Sequence, residues 1–313
     1  MNGTPSTCPV RVVCLSVLLA LLWSAPPAQA QEGYGMRVLE LPASTRALGL
    51  GGAFPLHAAD PDALFHAPAF AGTLRGFALG GAWWSPEAMA LSLSGGGEWW
   101  GGALAAGLQT LDYEGDAAHD APSEAETSLG GAGAERVSER VATVGYARRI
   151  WVLDVSLAAK LLDLRAGDAS MRGPAFDIAV GRAVGPVRLV LAGQHLGPAL
   201  EEGARRLTLP MRASLSGATR SYPLGPIDIG AAATMAVRED GMVLPGGGIE
   251  VGYWPVVGRT FQVRAGLRRS DGGLTPFTLG AGFSGDNLAI DYAYAPYEDS
   301  PTSHVHRFSV KLR

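Results

Sequence analysis

Cysteine is missing from most of this chain, because its two cysteines, Cys8 and Cys14, both lie near the start. A disulfide framework and a thiolate metal site are therefore excluded for everything that follows. Charge is also scarce: Asp, Glu, Lys and Arg make up 17% of the residues, and the net charge of −4 excludes a broad basic surface for nucleic acid. After residue 30, no segment approaches the ~18 continuous apolar residues of a membrane-spanning helix.

The signatures of common enzyme sites are absent as well. Neither the HExxH pattern of metalloproteases nor the Gly-x-Ser-x-Gly elbow of lipases occurs. The glycines at 49, 51 and 52 lack the Gly-x-Gly-x-x-Gly spacing of a nucleotide loop, and close backbone packing explains them better. His304 and His306 share one face of a predicted strand, where we interpret them as a solvated strand end. The sequence predicts no catalytic residue, no cofactor and no metal site.

Residues 1–30 are typical of a cleavable signal peptide. Arg11 provides the positive charge, an apolar core runs from Val12 to Trp23, and Ala28-Gln29-Ala30 has the small-x-small form of a cleavage site. The alternative is an uncleaved membrane anchor, which Pro26-Pro27 and the short apolar run disfavour. We therefore expect export and cleavage before Gln31.

From Leu74 onward, apolar residues recur at every second position, which is typical of strands with one apolar face. In segment 151–161, Leu153, Leu157 and Leu161 fall on one face, while Asp154 and Lys160 fall on the other. Such runs occupy 74–83, 87–95, 98–112, 135–149, 151–164, 174–182, 186–196, 207–218, 225–238, 242–253, 259–269, 275–284, 286–296 and 303–313. An even count of about fourteen, with most runs near ~9–14 residues, predicts a closed antiparallel transmembrane β-barrel over 74–313 in the bacterial outer membrane.

The connections between the runs alternate in length, as in outer-membrane barrels. If both chain ends face the periplasm, the external loops are 84–86, 113–134, 165–173, 197–206, 239–241, 270–274 and 297–302. Aromatic pairs such as Trp99-Trp100 stand near strand ends, where interfacial girdles would place them.

Charged residues within the strands are expected to face the lumen, because a charge facing lipid costs ~2–4 kcal/mol at the bilayer midplane. The candidate luminal polar residues are Asp154, Lys160, Arg212, Asp228, Arg238, Arg264, Arg268, Asp291 and Arg307. Two explanations stay open: a structural ion network that fills the lumen, or a polar path for cargo.

Residues 31–73 precede the strands and differ from them in character. Segment 44–72 is rich in Gly and Ala, then acidic, and its apolar positions match neither a regular helix nor a strand up to Phe54. A short helix is predicted over Ala63 to His66, with Asp60 as N-cap and Pro68 as its end. We expect this segment to lie against or inside the β-structure.

Three stretches of the sequence resemble motifs of the PorV/PorQ-type outer-membrane proteins, within the broader FadL-like barrels. The first stretch runs from Ser44 to Phe54 and continues over Ala59 to Ala69; the others are Gly193–Pro198 and Ile290–Tyr297 with His306–Ser309. The residues that match the family's plug motif are Arg46, Gly49, Gly51, Gly52, Asp60, Asp62 and Pro68. The resemblance implies a fourteen-stranded barrel with an N-terminal plug in its lumen.

The resemblance also implies a function without catalysis. Some family members move hydrophobic compounds across the outer membrane, and others act with a protein-secretion system. The expected partners are therefore outer-membrane lipid, together with either a hydrophobic ligand or secretion proteins. A soluble exported β-sandwich is the third hypothesis.

Overall fold

The computed structural model describes residues 36–54, 56, 60–66, 69, 75–85, 88–114, 136–203, 205–269, 275–296 and 304–312. The predicted signal peptide, Pro68 and nearly all of loop 113–134 lie outside the described residues. Within the described part, the chain forms seventeen strands, two short α-helices and one 3-10 turn. None of the helices described there has the length and apolar character needed to span a membrane.

The strands follow one another along the chain, most of them as long hairpin arms. Their bounds are β1 Gly76–Ser85, β2 Ala88–Trp99, β3 Gly102–Glu114, β4 Arg136–Ile150, β5 Leu153–Ala166, β6 Ala169–Val184, β7 Val187–Leu196, β8 Leu200–Glu202, β9 Arg205–Leu207, β10 Arg212–Thr219, β11 Tyr222–Leu224, β12 Ile227–Arg238, β13 Val243–Val256, β14 Arg259–Arg268, β15 Phe277–Ser284, β16 Leu288–Pro296 and β17 His304–Leu312.

Fifteen of these strands form one closed antiparallel barrel with fourteen strand positions around the ring. Sequential neighbours pair throughout, β1 pairs with β17, and β10 pairs with both β7 and β12, so that the ring has no free edge. Strands β10 and β11 lie one after the other along β12 and count as one position, while β8 and β9 form a separate small hairpin. The fourteen-strand prediction is confirmed. A single closed sheet also rules out the β-sandwich, which needs two packed sheets.

The two faces of the barrel differ as the alternation of residues predicts. On β5, Leu157 and Leu161 point outward and are 62% and 61% exposed, while Lys160 and Leu162 point inward and are buried. Large apolar side chains stand exposed on the outer face of every long strand, for example Phe77, Leu191, Val263 and Val310. This outer surface suits hydrocarbon, because a water-facing barrel would not present such a continuous apolar belt.

The two ends of the barrel have different connections. At one end, here called the turn end, two or three residues join the strands, as at 100–101, 151–152, 185–186, 257–258 and 285–287. At the other, here called the loop end, most connections are longer. The predicted loop 165–173 is wrong, because β5 and β6 continue to a tight turn at Gly167, whose φ is +54°. The predicted loop 197–206 contains the β8–β9 hairpin.

The segment before β1 folds inside the ring, and its described residues 36–54, 56, 60–66 and 69 are called the plug below. A 3-10 turn spans Arg37–Leu39, helix α1 spans Thr45–Gly49, and helix α2 spans Ala63–His66 as predicted. Ser44 caps α1 by accepting a hydrogen bond from the Ala47 amide. The sequence did not reveal α1, since only five residues adopt it and glycines follow at once.

Candidate functional site

The contact between the plug and the barrel wall is the candidate site, and glycines on both surfaces bring the two backbones together. A Cβ added to Gly248 of β13 would lie 2.9 Å from the Leu50 Cα. A Cβ added to Gly280 of β15 would lie 3.3 Å from the Gly49 Cα. The plug and the wall therefore touch without intervening side chains, as only glycine permits.

The end of α1 needs glycine for a second reason. Gly51 and Gly52 have φ values of +66° and +85°, in the left-handed region that other residues rarely adopt. The Gly51 amide donates a hydrogen bond of 3.0 Å to the Thr278 hydroxyl of β15. The backbone turn after α1 is thereby fixed to the wall.

Buried ionic groups link the plug to four strands beside these glycines. Ion pairs connect Arg46 to Glu250, Glu250 to Arg264, and Arg264 to Asp291. Lys311 continues this series from Asp291 to Asp60 and Asp62. Asp62 in turn accepts a hydrogen bond from the Ser94 hydroxyl. Arg264 Nη1 lies 2.7 Å from Asp291 Oδ1, and Arg46 Nε lies 2.8 Å from Glu250 Oε2. Lys311 binds Asp60 and lies 3.5 Å from Asp62 and Asp291. Because every member is largely buried, removing one charge leaves its partner uncompensated.

Other wall residues hold the plug by its backbone. Glu139 of β4 accepts the Val38 amide at 2.7 Å, and Arg307 of β17 donates to the Ala43 carbonyl and to Ser92 Oγ. These contacts satisfy polar groups of the plug that water cannot reach.

A third set of polar contacts lies on β7 and β12. Gln194 of β7 donates to the carbonyls of Phe65 and His66, both at 3.3 Å. Arg238 of β12 binds Glu40 at 2.6 Å and Asp240 at 2.7 Å, which ties the start of the plug to the loop end.

Two titratable groups of the plug carry altered proton affinities. Burial raises the pKa of Asp62, and Lys311 only partly offsets this effect. Burial, followed by the charges of Arg212 and Arg307, lowers the pKa of His66. A neutral His66 agrees with its contacts, because Nε2 accepts the Ser44 amide at 3.3 Å and the ring stacks on Phe54.

A separate buried cluster lies on β5, β6 and β7. Lys160 Nζ lies 2.7 Å from Asp177 Oδ2 and 2.9 Å from His195 Nδ1, and the His195 amide donates to Asp177 at 2.8 Å. His195 has a φ of +60°, so the buried carboxylate stabilises an uncommon backbone conformation.

The predicted polar residues occupy different surroundings. Five of them lie inside the barrel and take part in the contacts described above: Lys160, Arg238, Arg264, Asp291 and Arg307. Arg212 also lies inside the barrel and donates to Gln194 at 2.9 Å. Asp154 is buried near the turn end and pairs with Arg149 at 2.8 Å. Asp228 and Arg268 are half-buried on the inward face. Within the described part of the chain, no group of three or more metal-ligating side chains occurs, and His304 and His306 lie on the outward face of β17.

Sequence reasoning missed several members of the site. Glu139, Asp177, Glu250 and Lys311 are not among the predicted polar residues, and Gln194 has no predicted role beyond its place in the motif Gly193–Pro198. The inward position of Asp177, Glu250 and Lys311 follows from the same alternation, because each stands between apolar neighbours in its strand. Glu139 and Gln194 lack such neighbours, and which inward residues face the plug depends on register across the barrel.

The interior is layered along the barrel axis. At the loop end, an apolar layer surrounds the start of the plug; its largest members are Met36, Leu48, Trp84, Leu111, Leu162, Met171, Leu200, Leu207 and Leu209. The ionic groups lie deeper, and a second apolar cluster of Leu50, Phe54, Leu64 and Phe65 packs against small wall residues such as Ala103 and Ala192. A buried apolar layer at the loop end is therefore followed by ionic contacts between the plug and the wall.

Solved structures share this fold. The toluene transporter TbuX of Ralstonia pickettii matches with a TM-score of 0.54 at 12% identity, over 87% of this chain and 97% of its own. The monoaromatic hydrocarbon channel CymD matches with a TM-score of 0.57 at 11% identity, over 90% and 98%. A Pseudomonas aeruginosa FadL homologue gives 0.52 at 11%, over 86% and 98%.

The chain has the FadL-like barrel fold. No protein-family model matches it, and no curated protein matches it. The FadL-like part of the predicted resemblance is thus supported by the fold, whereas the closer likeness to PorV/PorQ-type proteins rests on the motifs alone. The similar structures named above are channels and transporters rather than enzymes.

Proposed function

We propose that this protein passes hydrophobic small molecules across the bacterial outer membrane and that the plug gates the passage. The observation that carries the proposal is the apolar layer inside the loop end, where Leu162, Met171 and Trp84 meet the start of the plug. The interior of a water-filled pore is polar, so hydrocarbon here favours an apolar cargo. The hydrocarbon channels with the same fold support this class of cargo.

The arrangement of layers gives the passage a physical order. An apolar molecule that enters at the loop end gains free energy from burial, at roughly 25 cal/mol per Å² of apolar surface. It then meets the plug, whose ionic contacts with the wall offer no favourable site for hydrocarbon. Onward movement therefore requires part of the plug to leave the wall.

The test is uptake of a hydrophobic fluorescent probe into liposomes that contain the purified full chain. The variant Met171→Gln places an amide in the apolar layer, where the native side chain is 1% exposed, and should weaken uptake. The matched control Met89→Gln changes a residue that is 40% exposed on the outer face and should leave uptake near the native rate. Equal uptake by native protein and protein-free liposomes would contradict the proposal.

A second candidate function is a scaffold for protein secretion, as in PorV-type proteins. The motifs at Ser44–Phe54 and Ile290–Tyr297 favour it, and the described part of the second motif lies in β16, next to β17. Native mass spectrometry of the detergent-purified protein separates the two functions. A bound hydrophobic molecule supports passage, whereas a stoichiometric protein partner supports secretion.

A further inference from the structure

An aromatic patch with an exposed arginine stands on the outer face at the turn end. It consists of Trp99, Trp100, Tyr146 and Arg148 and is called the turn-end patch below. The rings of Trp99 and Trp100 lie 5.2 Å apart, and Tyr146 meets Trp99 edge-on at 6.2 Å. The Tyr146 hydroxyl donates to the Trp100 carbonyl at 3.1 Å, which fixes the β2–β3 turn against β4.

The guanidinium of Arg148 is open to the surroundings at this patch. Its Nη2 lies 3.8 Å from the position that a Cβ would take on Gly101, so the bare turn leaves it uncovered. Arg148 is exposed, and no ion pair or hydrogen bond of its side chain occurs among the described residues. The neighbouring charges are already paired, since Arg149 binds Asp154 and Arg75 binds Glu98.

The location of the patch determines what can reach it. Tyr146 and Arg148 alternate with the inward residues of β4, so they face the membrane rather than the lumen. Trp100 is 82% exposed at the tip of the turn. Tryptophan and tyrosine favour the level of lipid headgroups, because one side of each ring is apolar and the other is polar. A phosphate at that level lies within reach of the unpaired guanidinium.

We propose that the turn-end patch binds the phosphate headgroup of an anionic phospholipid. Arg148 supplies a charge-assisted, fork-shaped pair of donors to the phosphate oxygens. The indoles of Trp99 and Trp100 cover the glycerol and the upper acyl chain. Glu98, which precedes Trp99, is engaged by Arg75, and Asp154 is engaged by Arg149, so neither carboxylate is free to attract the ammonium of a zwitterionic lipid.

Another arginine of the turn end provides a matched control. Arg182 of β6 is also exposed and on the outer face, but its register neighbour on β7 is Leu189 rather than an aromatic residue. A general attraction between basic residues and anionic membranes would use both arginines alike. A specific headgroup site would depend on Arg148 alone.

The experiment is native mass spectrometry of the full chain in detergent with equal amounts of phosphatidylglycerol and phosphatidylethanolamine. We expect retained phosphatidylglycerol to exceed phosphatidylethanolamine, and Arg148→Gln to reduce its retention by about tenfold, as for a lost charge-assisted hydrogen bond. Trp100→Ala should also reduce retention, while Arg182→Gln should not. Heat-modifiable gel migration checks that each variant is a folded barrel.

Two results would overturn the proposal. One is equal retention of the two lipids by the native protein; the other is an equal loss in Arg182→Gln and Arg148→Gln. Neither result bears on the proposed passage function, because liposome uptake measures the lumen and not the outer face.

Discussion

The plug meets the two sides of the barrel in different ways. Toward β13–β17, it is held by buried ion pairs and by backbone contacts at glycines, as between Gly51 and Thr278. Toward β3, β4 and β7, α2 is held by apolar side chains and by amide contacts, with Phe65 over Gly107 and Leu64 over Gly145. Directional contacts fix one position, whereas apolar contacts tolerate sliding. We therefore expect α2 to leave the wall before α1.

The largest effect should come from removing the plug. Deletion of 44–72 empties the lumen of both helices, and water can then solvate the ionic groups of the wall. We expect a folded barrel whose conductance in planar bilayers far exceeds that of the native protein. If the deletion instead prevents folding, the segment is a core element of the barrel and the gate hypothesis is wrong.

The ionic contacts between the plug and strands β13–β17 can be disrupted at Lys311. Lys311→Met removes the cation that binds Asp60 and lies near Asp62 and Asp291, at a cost of about 3–5 kcal/mol for a broken buried pair. Hydrogen exchange of residues 44–66 should accelerate, and leakage of small solutes should rise. The control Arg75→Gln breaks an exposed pair and should cost about 0–1 kcal/mol. Similar exchange in both variants would show that the ion chain does not hold the plug.

The glycine contacts on the same side give a smaller expected effect. Gly248→Ala adds a Cβ 2.9 Å from the Leu50 Cα of the plug and 2.6 Å from the Ala265 carbonyl oxygen of β14, and such overpacking costs about 1–3 kcal/mol. The exchange of residues 47–52 should increase. Gly97→Ala in β2 is the matched control, because an added Cβ there meets nothing within 4 Å. Unchanged exchange of residues 47–52 in Gly248→Ala would mean that the backbones of the plug and the wall can separate at no cost in free energy.

The contacts of α2 with β3, β4 and β7 should respond to pH through His66. Its pKa is lowered in the docked plug, whereas a displaced plug restores the usual value near 6.5. Below that value, the displaced state binds a proton that the docked state refuses, so protonation of His66 favours displacement, whereas Asp62, whose pKa is raised in the docked plug, acts in the opposite direction. Protection of residues 63–66, expressed relative to the intrinsic exchange rate at each pH, should be lower at pH 5.5 than at pH 7.5, and His66→Gln should reduce this difference. An equal pH response in the variant would assign it to other groups.

Much of the barrel follows from the sequence, because each strand shows its own alternation. Leu157 and Leu161 indicate the outer face of β5 without knowledge of any other strand, and all fourteen barrel positions were predicted within a few residues, apart from the start of β6 and of β10. The turn at Gly167 was missed because small and polar residues at the strand ends looked like a loop.

The site was harder to predict because its members are distant in the chain. Arg46 and Glu250 are 204 residues apart, and Val38 and Glu139 are 101 apart. An inward charge can be inferred from its own strand, but its partner depends on how the plug lies in the ring. Arg264 and Asp291 pair with each other inside the barrel, and their role as luminal residues in passage stays a prediction.

A reversible crosslink between plug and wall tests the central claim most directly. Asp62 and Ser94 are in contact at 2.8 Å, and the chain has no cysteine after residue 14, so Asp62→Cys with Ser94→Cys introduces one defined pair. Each single variant shows the effect of its own substitution. If passage requires the plug to move, oxidation of the double variant should abolish uptake of the hydrophobic probe, and reduction should restore it. Uptake that continues at the same rate after complete crosslinking would contradict the gate.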